Sequence, residues 1–279
     1  MTEHSIGPLS PGGPILLVGA GKMGGALLDG WLAGGLDPAL VAVVDPGLPP
    51  DVAERLSAQG VILAPEPGNL PPPAAILFAV KPQMAADALP SVAGFVSPDT
   101  VVVSILAGTT LKTLRSGLPN GAAVVRTMPN TPASVGRGIT ACVAGEGVSA
   151  AQRALADRLL QACGEVVWVD DEALIDAVTG VSGSGPAYVF LMAESLARAG
   201  VAAGLPPDLA GKLARATVEG AGELLHRSPE TPETLRKNVT SPNGTTAAAL
   251  GVLMAADGLD PLLERAVAAA TARSRELAG

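Results

Sequence analysis

The 279-residue chain is 48% hydrophobic, only 16% charged, and carries a formal net charge of −8. A chain so apolar is not expected to stay disordered, and one so acidic lacks the basic face that nucleic acid demands. Its two cysteines, Cys142 and Cys163, fit neither a disulfide framework nor a metal-ligand spacing, which points to a reducing, cytoplasmic setting.

Residues 1–13 have neither the basic region nor the apolar region of a signal peptide, and are expected to form a disordered leader. From Pro14 to Asp170, short β-branched runs (ILLVG, VAVVD, AILFAV, TVVVSIL, AAVVRT, ITACVAG, EVVWVD) alternate with segments of helical length. That alternation predicts an α/β, Rossmann-type domain with a mostly parallel sheet over residues 14–170. The stretch APEPGNLPPP, Ala64–Pro73, can be neither a central strand nor a helix interior, and is expected to be a loop. After Asp170 the strand pattern stops. Residues 171–279 are expected to be an all-α C-terminal domain, with breaks at Gly204-Leu205-Pro206, Ser228-Pro229 and Ser241-Pro242. The near-continuous apolar residues after Pro186 predict a buried helix there. No apolar run reaches ~18 residues, so no membrane span is expected. The low charge suggests that much surface is hidden, and oligomerisation is one way to hide it.

The first strand runs into GAGKMG, with Gly19, Gly21 and Gly24 in the G-x-G-x-x-G spacing and Lys22 and Met23 between the last two. Glycines there permit a tight turn and close backbone approach, and the helix start that follows favours a pyrophosphate. The motif therefore predicts dinucleotide binding, because it sits in the strand-to-helix context it requires. The second strand ends in Asp45, about twenty residues past the last glycine, where an acid bonds the ribose 2′-hydroxyl and repels a 2′-phosphate. That position leans toward NADH over NADPH. The alternative is that Asp45 only caps a turn before Pro46.

Proton donors are scarce. His4 lies in the leader, His226 stands just before a Ser-Pro break, and Tyr188 follows Pro186 in an apolar helix, where a core position is expected. Lys81, in FAVKP, closes a parallel strand where α/β ligands bind, and a solvated loop lysine is the alternative. This inventory favours a substrate that needs little acid catalysis, such as a protonated imine. The stretch SPNGTT, Ser241 to Thr246, precedes an alanine-rich helical run. Its amides could bind an anion such as a carboxylate, with the Thr246 hydroxyl in the same pocket. Spacing alone favours the plainer alternative, that Thr245 or Thr246 only caps its own helix.

GAGKMG, FAVKP, SILAG, RTMPNTPA, DAVTGVSGSGPAY and KNVTSPNGTT occur in one order along the chain. With these motifs the chain resembles the Δ1-pyrroline-5-carboxylate reductases over its length after the leader. The resemblance implies reduction of 1-pyrroline-5-carboxylate to L-proline with NADPH or NADH. It implies that the cofactor lies on Gly19 to Gly24, along Ala79, Val80, Lys81 and Pro82, and against Ala107 and Gly108. Asn238 would stand beside both cofactor and substrate. The substrate carboxylate would lie on Ser241, Asn243, Gly244, Thr245 and Thr246, with the Thr246 hydroxyl on the ring nitrogen as the catalytic contact. Glu172 would be an acidic residue near the substrate. The resemblance further implies a homodimer through the helical domain, and dimers joined into a decamer. Two positions depart from the family pattern. Asp45 stands where Ser or Thr is common, and Asn243 replaces the first glycine of the signature, where its tolerance of positive φ would preserve the turn. A β-hydroxyacid dehydrogenase would carry a lysine on the long helix from Pro186 to Ala203, which has none. A non-catalytic dinucleotide sensor would leave the segment 237–246 without a purpose.

Overall fold

The computed structural model describes residues 11–278, so the leader expected over residues 1–13 lies outside the described residues except for Pro11, Gly12 and Gly13. The first part of the chain builds one eight-stranded sheet in the order β3-β2-β1-β4-β5-β6-β7-β8. Its strands are β1 (Ile15–Val18), β2 (Val41–Val44), β3 (Ile62–Leu63), β4 (Ala75–Phe78), β5 (Val101–Ser104), β6 (Ala123–Met128), β7 (Gly138–Ala144) and β8 (Gly164–Trp168). All seven expected strands form. The two-residue β3 is additional.

The pairings are parallel except β6 with β7. The exception has a physical cause. Only Pro129 to Arg137 joins β6 to β7, with a short 3₁₀ turn over Thr131–Val135, and a parallel crossover needs a dozen or more residues. The later connection has room for α5 (Ala150–Gln161), opened by a reciprocal Ser149–Gln152 capping box, and β8 returns parallel to β7.

Alternate residues of each strand face opposite sides, and both sides are apolar. Ile15, Leu17, Val41, Val43, Leu77 and Val103 pack with Leu27, Leu28 and Trp31 of α1 (Lys22–Ala33) and with Leu155 and Leu159 of α5. Leu16, Val18, Ile76, Phe78, Val102 and Val124 pack with Leu89 of α3 (Ala85–Val92) and Leu114 of α4 (Leu111–Ser116). Between β2 and β3 runs α2 (Pro50–Ala58), which buries Leu56. The Trp31 indole donates to the Leu159 carbonyl at 2.8 Å, fixing α1 on α5.

The remaining elements are helical: α6 (Leu174–Val178), α7 (Gly185–Ala202), α8 (Pro207–Arg227), α9 (Pro232–Asn238), α10 (Thr245–Leu253) and α11 (Leu259–Ala278). Helices break at the three expected places. The chain divides into two compact units, one running to Gly183 and resuming at Ala270, the other Ser184–Ala269. The division falls later than the expected 170/171 boundary because α6 belongs with the sheet. Ile175 is buried against Ala141 and Val143 of β7.

The second unit departs from one expectation. α7 buries none of its residues, and Phe190 is 63% exposed. In this unit only Ala210 and Ala214 are buried, while Leu191, Met192, Leu213, Leu224 and Val252 are exposed. The apolar pattern of α7 therefore does not mark burial within one chain. Among the described residues, no helix is long and apolar enough to cross a membrane.

Cys142 and Cys163 are both buried in the first unit. Burial pushes both thiols up, Cys163 to about 11 and Cys142 further. Both should therefore resist a thiol reagent at neutral pH until the chain is denatured, when two thiols react. A raised folded-state value also means that this contribution to stability is intact below about pH 9 and declines above it, as the unfolded thiols ionise first. Rapid reaction of native thiols, with no alkaline loss of stability, would contradict this assignment.

Candidate active site

The carboxyl ends of β1 and β4 lie side by side where the strand order reverses, the position at which open α/β sheets bind ligands. Gly19 leaves β1 with φ +90°, and a Cβ there would stand 2.9 Å from the Ala79 carbonyl carbon. A Cβ on Gly24 would collide with the Gly19 carbonyl oxygen and approach Ala79 Cβ to 2.9 Å. These two glycines let the loop and α1 press against the end of β4. Gly21 differs, because a Cβ there would meet nothing within 4 Å. Gly21 is also the N-cap of α1 and makes no side-chain cap bond. The first amides of α1, from Lys22 to Gly24, precede the helical bonding pattern and face a start with no side-chain acceptor. An open, donor-rich helix start beside a bare backbone fits a pyrophosphate.

Asp45 joins this loop. Its Oδ2 accepts from the Ala20 amide at 2.8 Å, and its Oδ1 accepts from the Gly47 amide at 2.8 Å. The carboxylate thus makes the turn expected of a capping residue and also holds the glycine loop. Sequence reasoning missed the second role. Each oxygen keeps a further lone pair for another donor.

Past β4, the Ala79 amide bonds the Val18 carbonyl at 2.8 Å, and Val80, Lys81 and Pro82 lead into a 3₁₀ turn. Lys81 is exposed. Past β5, the segment Ser104 to Gly108 ends with Ala107 exposed and Gly108 in the left-handed region at φ +70°. The first unit therefore gathers Gly19 to Gly24, Asp45, Ala79 to Pro82 and Ala107–Gly108 onto the carboxyl ends of β1, β2, β4 and β5.

Glu172 lies in the same unit. Its Oε1 accepts from Arg126 Nη1 at 2.8 Å and from the Leu111 amide at 2.7 Å. Arg126, on β6 beside Ser104, is only 3% exposed. Through Oε1 the carboxylate ties a buried guanidinium to a helix-start amide, and as an acceptor it has no donor to offer a substrate carboxylate. The turn Thr179–Gly183 that follows α6 is a π-helical segment that overlaps the start of the GVSGSG motif. Nothing in the spacing of that motif distinguishes a π turn from an α turn.

In the second unit, SPNGTT is the start of α10. Asn243 has φ +59°, so asparagine does hold the left-handed position as expected. The Gly244 amide bonds the Ser241 carbonyl at 3.1 Å, and Gly244 is the N-cap of α10 without a side-chain cap bond. Thr245 and Thr246 are the first two helical residues, so neither caps the helix. Asn238, at the end of α9, donates through Nδ2 to Glu230 at 3.0 Å and is exposed.

Away from these residues, a cavity of about 500 Å³ is lined by Gly68 to Pro72 and Gly94 to Ser97. It lies before β4 and β5, toward the amino ends of those strands rather than the carboxyl ends that carry the glycine loop, and holds none of the candidate residues. Among the described residues, no cluster of His, Cys, Asp and Glu could hold a metal ion.

Two family models match the chain. One is described as pyrroline-5-carboxylate reductase dimerisation and covers residues 172–277. The other is described as NADP oxidoreductase, coenzyme F420-dependent, and covers residues 14–108. A pyrroline-5-carboxylate reductase of Pseudomonas aeruginosa is 40% identical over 95% of this chain and 96% of its own length. The solved pyrroline-5-carboxylate reductase of Coxiella burnetii superposes with a TM-score of 0.88 at 32% identity, covering 96% of this chain and 99% of that one. The Plasmodium falciparum pyrroline carboxylate reductase, solved with NADP bound, superposes with a TM-score of 0.77 at 27% identity, covering 95% and 98%.

Proposed function

The chain belongs to the pyrroline-5-carboxylate reductase family, and on that premise we propose how its residues divide the work. The reaction is reduction of the ring C=N of 1-pyrroline-5-carboxylate to L-proline with NAD(P)H. When bound, the reduced nicotinamide supplies the hydride. The glycine loop, Gly19 to Gly24, holds the pyrophosphate on the open start of α1. Ala79 to Pro82 and Ala107–Gly108 border the rest of the dinucleotide. The second unit binds the imino acid. Its carboxylate takes the amides of Thr245 and Thr246 together with the Ser241 hydroxyl, with Asn243 and Gly244 shaping the turn around it, and Asn238 stands beside the substrate.

The observation that carries the substrate reading is the start of α10. It combines a left-handed Asn243, an N-cap with no side-chain bond and a Thr246 hydroxyl that makes no cap. Helix-start amides left without an acceptor suit an anion, and a carboxylate accepts from them as a charged partner. A protonated imine already carries the positive charge that attracts hydride, so no histidine, tyrosine or lysine is required as an acid. The Thr246 hydroxyl accepts the iminium N–H before reduction. It can donate to the nitrogen lone pair once the amine has formed.

The exposed leucines, Phe190 and Met192 of the second unit suit a second copy of the chain, in keeping with the dimerisation model that matches residues 172–277. We assign a homodimer through this unit, a decamer as the larger assembly, and a cytoplasmic setting.

Thr246→Ala should fold normally and lose about 1–3 kcal/mol of transition-state stabilisation, the cost of losing one hydrogen-bond partner in a site closed by substrate. The loss should appear in kcat beyond any change in KM. Unchanged kcat and KM would remove Thr246 from the reaction.

Asp45 sets the cofactor preference in this reading, accepting the ribose 2′-hydroxyl with its remaining lone pairs. Unit charges about 4 Å apart repel by about 4 kcal/mol at an effective dielectric of 20. Solvent at this partly exposed site reduces the penalty for a 2′-phosphate to about 1–2 kcal/mol, or about tenfold in kcat/KM. NADH should therefore serve at least as well as NADPH, and Asp45→Ser should shift the ratio toward NADPH. Strong NADPH preference in the wild type, unchanged in Asp45→Ser, would leave Asp45 as a tie for the glycine loop alone.

A further inference from the structure

Two carboxylates four residues apart, Glu172 just before α6 and Asp176 within it, are not consumed by the chemistry proposed above. Both lead to the loop that follows β5. Glu172 accepts from the Leu111 amide at 2.7 Å, three residues past Gly108. Its position is fixed by the buried Arg126 guanidinium on the same oxygen. Asp176 acts from the other side. Its Oδ1 accepts from the Ser274 hydroxyl at 2.7 Å, its Oδ2 lies 4.0 Å from Arg275 Nε, and Ser274 is 5% exposed. These contacts tie the last turns of α11, which belong to the first unit, to α6. One turn on, Leu277 lies directly over Gly108. A Cβ on Gly108 would stand 3.3 Å from both Leu277 Cβ and the Leu277 carbonyl oxygen.

The loop is therefore held at two points by one short segment. That segment is itself anchored, because Ile175, between the two acids, is 1% exposed in the cluster with Ala141 and Val143. Gly108 has φ +70°, a conformation that costs glycine little and lets the backbone lie flat beneath α11.

We propose that Glu172 and Asp176 are positioning residues for dinucleotide binding: they set the loop Ser104–Gly108 through the Leu111 amide at one end and through Ser274 and the Leu277 turn at the other. This rests on the reading that Ala107 and Gly108 border the dinucleotide. On that reading, the effect of losing the grip falls on cofactor binding. The imino acid, assigned to the second unit, should bind as before.

The test is direct titration of NADH into the full-length protein, followed by its fluorescence, alongside steady-state kinetics and thermal melting. Asp176→Ala and Ser274→Ala should each weaken NADH by about five- to tenfold, the loss expected for one partly buried hydrogen bond. Turnover at saturating NADH and KM for the imino acid should stay within about twofold of wild type on the same argument. Asp176→Asn keeps an acceptor for Ser274 and should restore NADH affinity to within about twofold. Should Ser274→Ala or Asp176→Ala fail to fold, a chain ended at Glu276 removes the 60%-exposed Leu277 without touching the core, and should show the same weakening. Gly108→Ala separates the two readings. If Gly108→Ala weakens NADH while the Asp176, Ser274 and shortened variants bind it as the wild type does, the grip is overturned and the loop keeps its place beside the cofactor. Lower melting temperatures with unchanged NADH affinity in those variants would likewise make the contacts purely structural and overturn the proposal. If Gly108→Ala binds NADH normally, the loop does not border the cofactor and both readings fall.

Discussion

The close approach of β1 to β4 at their carboxyl ends is the constraint from which the rest follows. Ala79 leaves no room for a side chain at Gly19, and Gly19 with Ala79 leaves none at Gly24. Because both positions are glycine, α1 can start low against the sheet, and its first amides point into the crevice where the strand order reverses. Asp45 completes the arrangement by drawing the Ala20 amide toward β2. A larger residue at Gly19 or Gly24 would push α1 outward and tilt its start away from any phosphate. The packing of Trp31 on α5 and the apolar layer beneath α1 both depend on where that helix begins.

Much of this was legible in the sequence, for reasons that differ between elements. The seven longer strands were visible because a sheet covered on both faces needs uninterrupted β-branched runs. β3 was not, because a two-residue strand leaves no pattern, and Ile62–Leu63 pairs only through Ala42 and Val43. The glycine loop could be read because each glycine answers a steric demand. The glycine-loop tie of Asp45 could not, since Ala20 offers only its backbone amide and backbone donors carry no sequence signal.

α7 shows the opposite failure. Its apolar run was read as burial, and burial was the right physical inference for so apolar a helix. The missing information was whose surface covers it. A helix designed to meet a second chain and a helix designed for its own core obey the same rule, that apolar area leaves water. The exposure of Phe190 and Leu191 within the single chain tells them apart. SPNGTT was ambiguous for a related reason. A threonine near a helix start can cap it or stand free, and the choice turned on Gly244 taking the N-cap position. Glu172 could be placed near functional segments by resemblance, yet its partners, Arg126 and the Leu111 amide, are 46 and 61 residues away.

The helical unit and the sheet unit thus answer different demands. The first unit carries a large apolar core and presents, at the carboxyl ends of its central strands, a glycine loop suited to a dinucleotide. The second buries little of its own surface and exposes a helix start suited to a carboxylate. The most direct test of the whole account is the reaction itself. Purified protein would be incubated with 1-pyrroline-5-carboxylate and either reduced dinucleotide, following dinucleotide oxidation and identifying the product. The account predicts L-proline formed in step with the dinucleotide consumed. Dinucleotide binding without oxidation, or oxidation without proline, would contradict it.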